Sequence, residues 1–325
     1  MKPLKGVITL VTGATRGLGK GIAIGLGEAG ATVYLTGRTL AATEEGLGSL
    51  EETATAVEQA GGVAIPVQVD HSDDEQIKAL FERIQTEQDG RLDVLVNNAY
   101  AGVPALRTAY GKPFWEAEPS FWDACNAVGL RSHYVASVYA ARLMVPRQRG
   151  LICTLSSWGG LSYIFGVPYG VGKAACDRMA ADMAIELKPH QVTSLSIWPG
   201  IVGTELMTQF AAEMGLGDRP SGEAQAGAIE EHYNWETPLL TGRVIAALAS
   251  DPNLLRRTGQ VQIVAELARE YGLVDADGQR PASLRSLRFV LPYAVPGVRP
   301  YANWVPDLEL PWPLLLLGPL GSPKV

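Results

Sequence analysis

Short runs of β-branched and other apolar residues alternate along the chain with longer stretches whose apolar positions recur every three to four residues. The runs Val7–Thr12, Thr32–Thr36, Val63–Val69, Leu92–Asn97, Leu151–Leu155, Val192–Trp198 and Gln260–Val264 read as strands. Helical periodicity covers Gly17–Ala29, Thr43–Ala60, Asp73–Gln88, Ser120–Val145, Tyr169–Leu187 and Pro238–Ala249. This β-α-β rhythm predicts an α/β fold in three layers, a doubly wound seven-stranded parallel sheet with helices on both faces. Right-handed crossovers fix its hand, and ligands on such a sheet bind beyond the carboxyl ends of the strands.

No linker divides residues 1–272, which are expected to form a single dinucleotide-binding and catalytic domain. Residues 205–237 interrupt the rhythm with Met207, Phe210, Met214, Tyr233 and Trp235, and read as a substrate-binding insertion or as plain surface. Residues 273–325 are proline-rich and lose periodicity, as expected of an extension wrapping the core. In it, the apolar run Leu314–Leu317 is bounded by Pro313 and Pro319. A spanning helix takes about 20 apolar residues, so this run is too short to cross a bilayer. Packing on its own domain is favoured over peripheral contact with a membrane or a partner subunit.

The 47% hydrophobic content supports a sizeable core, and the net charge of −7 argues against non-specific nucleic-acid binding. An anionic ligand then has to be held by local positive groups. Cys125, Cys153 and Cys176 show no Cys-x-x-Cys spacing, so neither a disulfide framework nor a zinc site is expected. A reducing, cytoplasmic setting fits that usage. His71, His133, His190 and His232 are scattered and carry no metal signature. The start of the chain, Met1–Lys5, lacks the pattern of a signal peptide.

The first strand ends in Thr12-Gly13-Ala14-Thr15-Arg16-Gly17-Leu18-Gly19, with a helical pattern directly behind it. Glycines there permit a tight turn and let a pyrophosphate approach the helix N-terminus, where free N–H groups and the dipole favour negative charge. The second strand ends Thr36-Gly37-Arg38. An acid at its end would bind the ribose 2′-hydroxyl of NAD; Gly37 stands there instead, flanked by Arg38 and faced by Arg16. Two guanidinium groups suit a 2′-phosphate, which favours NADP (NADPH) over NAD, the plainer alternative being two surface arginines. Asp70 closes the third strand, placed to meet the adenine amino group or to cap the helix that starts near Asp73.

Asn97-Asn98-Ala99-Tyr100 ends the fourth strand, Ser156 and Ser157 follow the fifth, and Tyr169-Gly170-Val171-Gly172-Lys173 opens a helix after Pro168. A Tyr and a Lys four apart share one helical face. A free phenol titrates near pH 10, too high for a ready base at neutrality. A neighbouring ammonium and an oxidised nicotinamide both favour the phenolate. A serine hydroxyl adds a donor at the oxygen where charge develops. Gly170 and Gly172 each cost about 1 kcal/mol in a helix interior, so a close approach by cofactor or by another helix is expected.

In this order, the glycine turn, Asn97-Asn98-Ala99, the serine, Tyr169-x-x-x-Lys173 and Pro199-Gly200 resemble the short-chain dehydrogenase/reductase superfamily over about residues 5–270. The resemblance implies a Rossmann fold with Tyr169 as general acid/base and Lys173 binding the nicotinamide ribose and tuning the phenol. It implies that Ser157 orients the substrate oxygen, Asn97 holds the adenosine-side ribose, and Pro199, Ile201 and Thr204 meet the nicotinamide. A homodimer or homotetramer is implied as well. Expected is hydride transfer between NADP(H) and a small carbonyl or alcohol substrate, an apolar ketone or aldehyde if Trp158, Phe165 and the insertion line the pocket. The cluster Phe114, Trp115, Phe121 and Trp122 reads rather as core or contact surface.

Three departures from the family pattern stand out. Gly129 occupies the position of the family's active-site asparagine, with Asn126 about one turn earlier. That glycine leaves space for a backbone-held water or implies a slower proton relay, and it motivates an alternative reading as a cofactor-binding regulatory or scaffold protein with little turnover. Tyr100 replaces the glycine usual after Asn-Asn-Ala. Ser157 precedes Tyr169 by twelve residues, one fewer than usual; Ser156 has the usual spacing, but Ser157 matches the second serine of the family pair and is favoured.

Overall fold

The computed structural model describes residues 2–42, 48–213 and 235–315. In chain order the first half runs β1 (Ile8–Thr12), α1 (Gly17–Glu28), β2 (Thr32–Gly37), α2 (Leu50–Gln59), β3 (Val63–Gln68), α3 (Asp74–Glu87), β4 (Val94–Asn97), α4 (Val103–Ala109), α5 (Ser120–Asn126) and α6 (Ser132–Met144). The second half runs β5 (Gly150–Leu155), α7 (Val167–Leu187), β6 (Val192–Trp198), β7 (Ile201–Val202), α8 (Glu205–Glu213), β8 (Trp235–Glu236), α9 (Pro238–Ser250), β9 (Val261–Ile263), α10 (Val264–Glu270) and α11 (Leu287–Ala294).

Seven strands form one parallel sheet in the order β3-β2-β1-β4-β5-β6-β9. Each residue of β5 and β6 is buried, because both faces of the central sheet are covered by helices. β3 sits at the edge, where Pro66 lacks a ladder donor at little cost. On one face, Ile22 and Leu26 of α1 pack with Leu50 and Val57 of α2, Val244 of α9 and Val264 of α10. On the other, Ile77, Leu80 and Phe81 of α3 meet Ala136, Ala140 and Met144 of α6 and Leu187 of α7. The strand order reverses between β1 and β4, which opens the ligand crevice at their carboxyl ends.

Two expected helices differ. α2 starts at Leu50, where Ser49 Oγ accepts from Glu52 N and Glu52 answers to Ser49 N, both at 3.2 Å, a capping box that sets the start locally. Residues 43–47 of the expected helix lie outside the described residues. The expected helix Ser120–Val145 is broken: α5 and α6 are joined by a π-helical stretch, Ala127–Arg131, centred on Gly129. One extra residue in that turn re-aims the side chains on either side of it.

The extension packs on its own domain. Phe289 of α11 meets Trp158 edge to face at 5.9 Å, Trp158 meets Trp198 at 6.1 Å, and Trp198 meets Trp312 at 5.8 Å. Leu315 joins that cluster, so this part of the apolar run packs inward, while Leu316 and Leu317 lie outside the described residues. Among the described residues no helix is long and apolar enough to cross a membrane. Most of the expected insertion, residues 214–234, also lies outside the described residues. Its flanks pair as a two-stranded parallel sheet, β7 with β8, which the periodicity did not reveal.

Candidate active site

The glycine turn connects β1 to α1 with Gly13 at φ +70° and Gly17 at φ +55°, a conformation that favours glycine. A side chain at Gly13 would strike Ala99, and one at Gly19 would strike the Asn98 amide, so the backbone is bare where β1 meets α1. Arg16 precedes α1 in extended conformation, no side chain caps the helix, and its first turn carries no acid. The donors of that turn are therefore left for an external anion. Leu18 turns instead to the core beneath. These features fit the pyrophosphate of a dinucleotide.

Asn98 is the residue that sequence reasoning passed over. Its Nδ2 donates to the carbonyls of Thr12 (2.9 Å) and Gly13 (3.1 Å), and Thr12 Oγ1 accepts from the N–H groups of Asn98 (2.9 Å) and Ala99 (3.0 Å). Asn97 was expected at the ribose, but its side chain is fully buried and gives Nδ2 to Ser137 at 2.9 Å. Its Nδ2 thus ties β4 to α6, while its buried Oδ1 meets no hydrogen-bond partner among the described residues. The doublet Asn-Asn carried the signal; which member faces the turn depends on strand alternation.

At the end of β2, a side chain on Gly37 would approach the Thr15 methyl to 2.7 Å, so an acid fits there only if Thr15 moves. Arg38 is exposed and Arg16 half-buried. Asp70 does not cap α3; Asp73 does, accepting from Glu75 N at 2.9 Å. Asp70 Oδ1 instead accepts from Ser72 N (2.9 Å) and Ser72 Oγ (2.7 Å), which hold its carboxyl below the usual range, with Arg38 adding to the effect. Across the turn, Thr204 lies opposite Gly17, its methyl 3.3 Å from where a Cβ would stand, and Thr204 Oγ1 receives Met207 N at 3.2 Å. Ile201 leads into it in β7, after Pro199 at the end of β6.

The third group gathers at the start of α7. Ser157 Oγ and Tyr169 Oη are 2.9 Å apart, and Ser157 Oγ also accepts from Gly159 N at 3.1 Å. Ser156 turns away and donates to the Lys173 carbonyl at 3.0 Å. One turn beyond Tyr169, Lys173 Nζ donates to Leu155 O at 3.0 Å. Phe165 stacks edge-on to Tyr169 at 5.4 Å, whereas Trp158 is buried in the aromatic cluster of the extension and does not line the mouth. Phe121 is buried, while Phe114 and Trp115 are largely exposed.

The glycines of α7 answer to packing. A Cβ at Gly172 would collide with Asn126 Oδ1 of α5, and one at Gly170 would press on Gly159 O at 3.3 Å. Asn126 donates to Trp122 O (3.0 Å) and Pro168 O (3.3 Å), so it ties α5 to the start of α7. The space expected beside Gly129 is not open for a water: the Tyr100 ring fills it, its Cδ2 lying 2.5 Å from where a Cβ at 129 would stand.

A doubly wound sheet with a glycine turn at its switch point and a Ser/Tyr/Lys set beside it defines a dinucleotide-dependent oxidoreductase. A family model described as short chain dehydrogenase matches residues 7–215, and the chain belongs to that family. It is 49% identical over 289 residues to dehydrogenase/reductase SDR family member 1 of Mus musculus, covering 89% of each chain. The Homo sapiens protein of that name is 47% identical over 305 residues, 94% of each. Among solved structures, a metagenomic short-chain oxidoreductase in complex with NADP superposes with a TM-score of 0.60 at 28% identity, over 80% of this chain and 97% of that one. A short-chain type dehydrogenase/reductase from Mycobacterium marinum gives 0.65 at 25% identity, over 80% and 94%.

Proposed function

We propose that this protein reduces an apolar ketone or aldehyde with NADPH, or oxidises the corresponding alcohol, with Tyr169 as general acid/base. The observation that carries the reading is the 2.9 Å contact between Ser157 Oγ and Tyr169 Oη, with Lys173 one helical turn away. A substrate carbonyl oxygen seated between the two hydroxyls accepts from both. Ser157 steadies the oxygen as negative charge grows, and Tyr169 gives up its proton to it. Lys173 favours the phenolate left behind through its charge. Bound NADPH supplies the hydride that reaches the carbonyl carbon.

Gly13, Thr15, Arg16, Gly17, Leu18 and Gly19 are proposed to hold the pyrophosphate, Arg16 and Arg38 the 2′-phosphate, and Asp70 the adenine. Tyr169 and Lys173 take the nicotinamide ribose, with Pro199, Ile201 and Thr204 at the carboxamide. Support for NADP comes from the bare Gly37 beside Thr15, and from the NADP-bound relative. Phe165, edge-on to Tyr169, favours an apolar substrate. The proposed catalytic domain is residues 1–272, with residues 205–237 as substrate-binding insertion and 273–325 as the extension. Exposed Tyr134 on α6 and Ile185 on α7 favour a homo-oligomer through these helices.

The test is NADPH oxidation with a panel of apolar aldehydes and ketones, 4-nitrobenzaldehyde and acetophenone among them. Tyr169→Phe should lower kcat by about a hundredfold or more, the scale of general acid catalysis. Full activity in that variant overturns the assignment.

A further inference from the structure

Lys173 carries three N–H donors, one of which goes to Leu155 O at 3.0 Å. Its other close neighbour is an aromatic face. Lys173 Nζ lies 5.2 Å from the centroid of the Tyr100 ring and 5.8 Å from that of Tyr169, both inside the reach of about 6 Å for cation–π attraction. The two rings meet each other edge to face at 6.1 Å and 84°. Tyr100 thus touches both members of the acid/base pair.

The slot that admits the ring is built by two glycines. A Cβ on Gly129 would stand 2.5 Å from Tyr100 Cδ2 and 2.8 Å from Cε2, and a Cβ on Gly102 would run into the hydroxyl end. The backbone before Tyr100 is pinned on both sides: Ala99 N donates to Thr12 Oγ1 at 3.0 Å, and Ala99 O meets His133 Nε2 at 3.0 Å. Burial raises the Tyr100 phenol far above its ordinary range, with the Cys125 thiol beside it, so the ring stays neutral at any working pH.

We infer that Tyr100 is a positioning residue of this active site, whose ring holds the Lys173 ammonium against Tyr169 by a cation–π contact in the slot that Gly129 opens. The inference rests on the roles proposed above for Tyr169 and Lys173. It makes Tyr100 and Gly129 one feature: the glycine is bare because the tyrosine needs its space.

The groups that face the ammonium leave this role to the ring. Burial pushes His133 of α6 down to about 3, so it is neutral. Burial likewise raises the thiols of Cys125 on α5 and, to about 11, Cys176 on α7. Asp177 of α7, raised by burial, is engaged by Ser196 and, at 2.9 Å, by Trp198 Nε1.

The chain has eight lysines, which makes Lys173 separable by NMR. In full-length protein labelled with 13C-lysine, assigned with Lys173→Arg, the Lys173 ε-methylene should lie upfield of the other seven through the ring current. Tyr100→Phe should keep that shift, and Tyr100→Leu should lose most of it. Gly129→Ala, which displaces the ring but leaves it in the chain, should lose it as well, and provides the same test if Tyr100→Leu does not fold. An unshifted Lys173 in the wild type, or a shift unchanged in Tyr100→Leu or Gly129→Ala, overturns the inference.

Kinetics separate this from the proposed function. With 4-nitrobenzaldehyde and NADPH, Tyr100→Leu should lower kcat about tenfold at pH 7, since a loosened ammonium gives less support to the charge left on Tyr169 as its proton leaves. Tyr100→Phe should keep at least about half the rate, because the ring and not its hydroxyl acts. If Tyr169→Phe is inactive while Tyr100→Leu matches the wild type, the positioning role falls and the proposed function stands. If Tyr169→Phe keeps its rate, the proposed function falls, and the NMR shifts still decide whether the ring holds the lysine.

Discussion

Asn98 holds Gly13 by its carbonyl, Nδ2 donating at 3.1 Å while also reaching Thr12 O at 2.9 Å. The loop after β4 thereby clamps the turn after β1, across the crevice where the sheet reverses. Asn98→Ala removes both bonds and leaves two carbonyls to find water. Each lost bond is worth about 1 kcal/mol. The expected result is an NADPH Kd raised about tenfold, read by nucleotide fluorescence, with a modest loss of stability. Unchanged Kd with unchanged melting would show that the clamp is idle.

Arg38 and Arg16 flank the strand end where Gly37 leaves no acid. Charge-assisted hydrogen bonds to a phosphate are worth about 1.5–3 kcal/mol, or roughly ten- to a hundredfold in affinity. Arg38→Ala should raise the KM for NADPH by that factor and leave the KM for NADH within about twofold. An equal loss for both nucleotides contradicts a 2′-phosphate contact.

Stability should carry a pH signature from Glu236. This residue of β8 is fully buried, neither carboxyl oxygen has a hydrogen-bond partner among the described residues, and burial pushes its pKa from 4.5 up to about 8, opposed by the nearby Gly200 N–H and aided by Asp275. Because the folded value is raised, the folded chain keeps a proton that the unfolded chain has released between these two values. The contribution is complete below about 4.5 and is lost as the pH climbs to about 8, by an amount on the order of a few kcal/mol. Glu236→Gln keeps the shape and removes the titration. Its melting temperature should match the wild type near pH 5 and exceed it by several degrees at pH 8.5. A difference that does not grow with pH would rule the effect out.

The strands were legible because a parallel sheet covered on both faces writes each strand as a continuous apolar run, and β1, β2, β4, β5 and β6 fall where those runs lie. The glycine turn and Tyr169-x-x-x-Lys173 were legible because each is local: its function needs a fixed spacing within one turn or one helix face. What escaped the sequence was pairing between distant segments. Tyr100 and Gly129 are separated by an entire helical connection, and only the register of the π-helical stretch shows that one fills the space of the other. The roles of Asn97 and Asn98 divide on strand alternation near the end of β4, where a one-residue slip exchanges them. The α11 helix was hidden because Pro292 interrupts its pattern and its partners, Trp158 and Trp198, lie far away in the chain.

Phe289 links that extension to the reacting groups. Its ring, almost fully buried, packs edge to face on Trp158, the neighbour of Ser157 and the first residue of the short turn Trp158–Gly160 that Ser157 caps. Phe289→Ala should cost about 3–5 kcal/mol in stability, the usual range for emptying a buried aromatic site. The cavity would also free Trp158 to shift, and with it the turn whose Gly159 N–H steadies Ser157 Oγ at 3.1 Å. Loss of kcat for 4-nitrobenzaldehyde at a temperature where the variant is still folded, with the NADPH KM near that of the wild type, is therefore expected. Phe289→Leu, which refills most of the volume, should recover most of both. If stability falls while kcat holds, the extension braces the fold without steadying the serine.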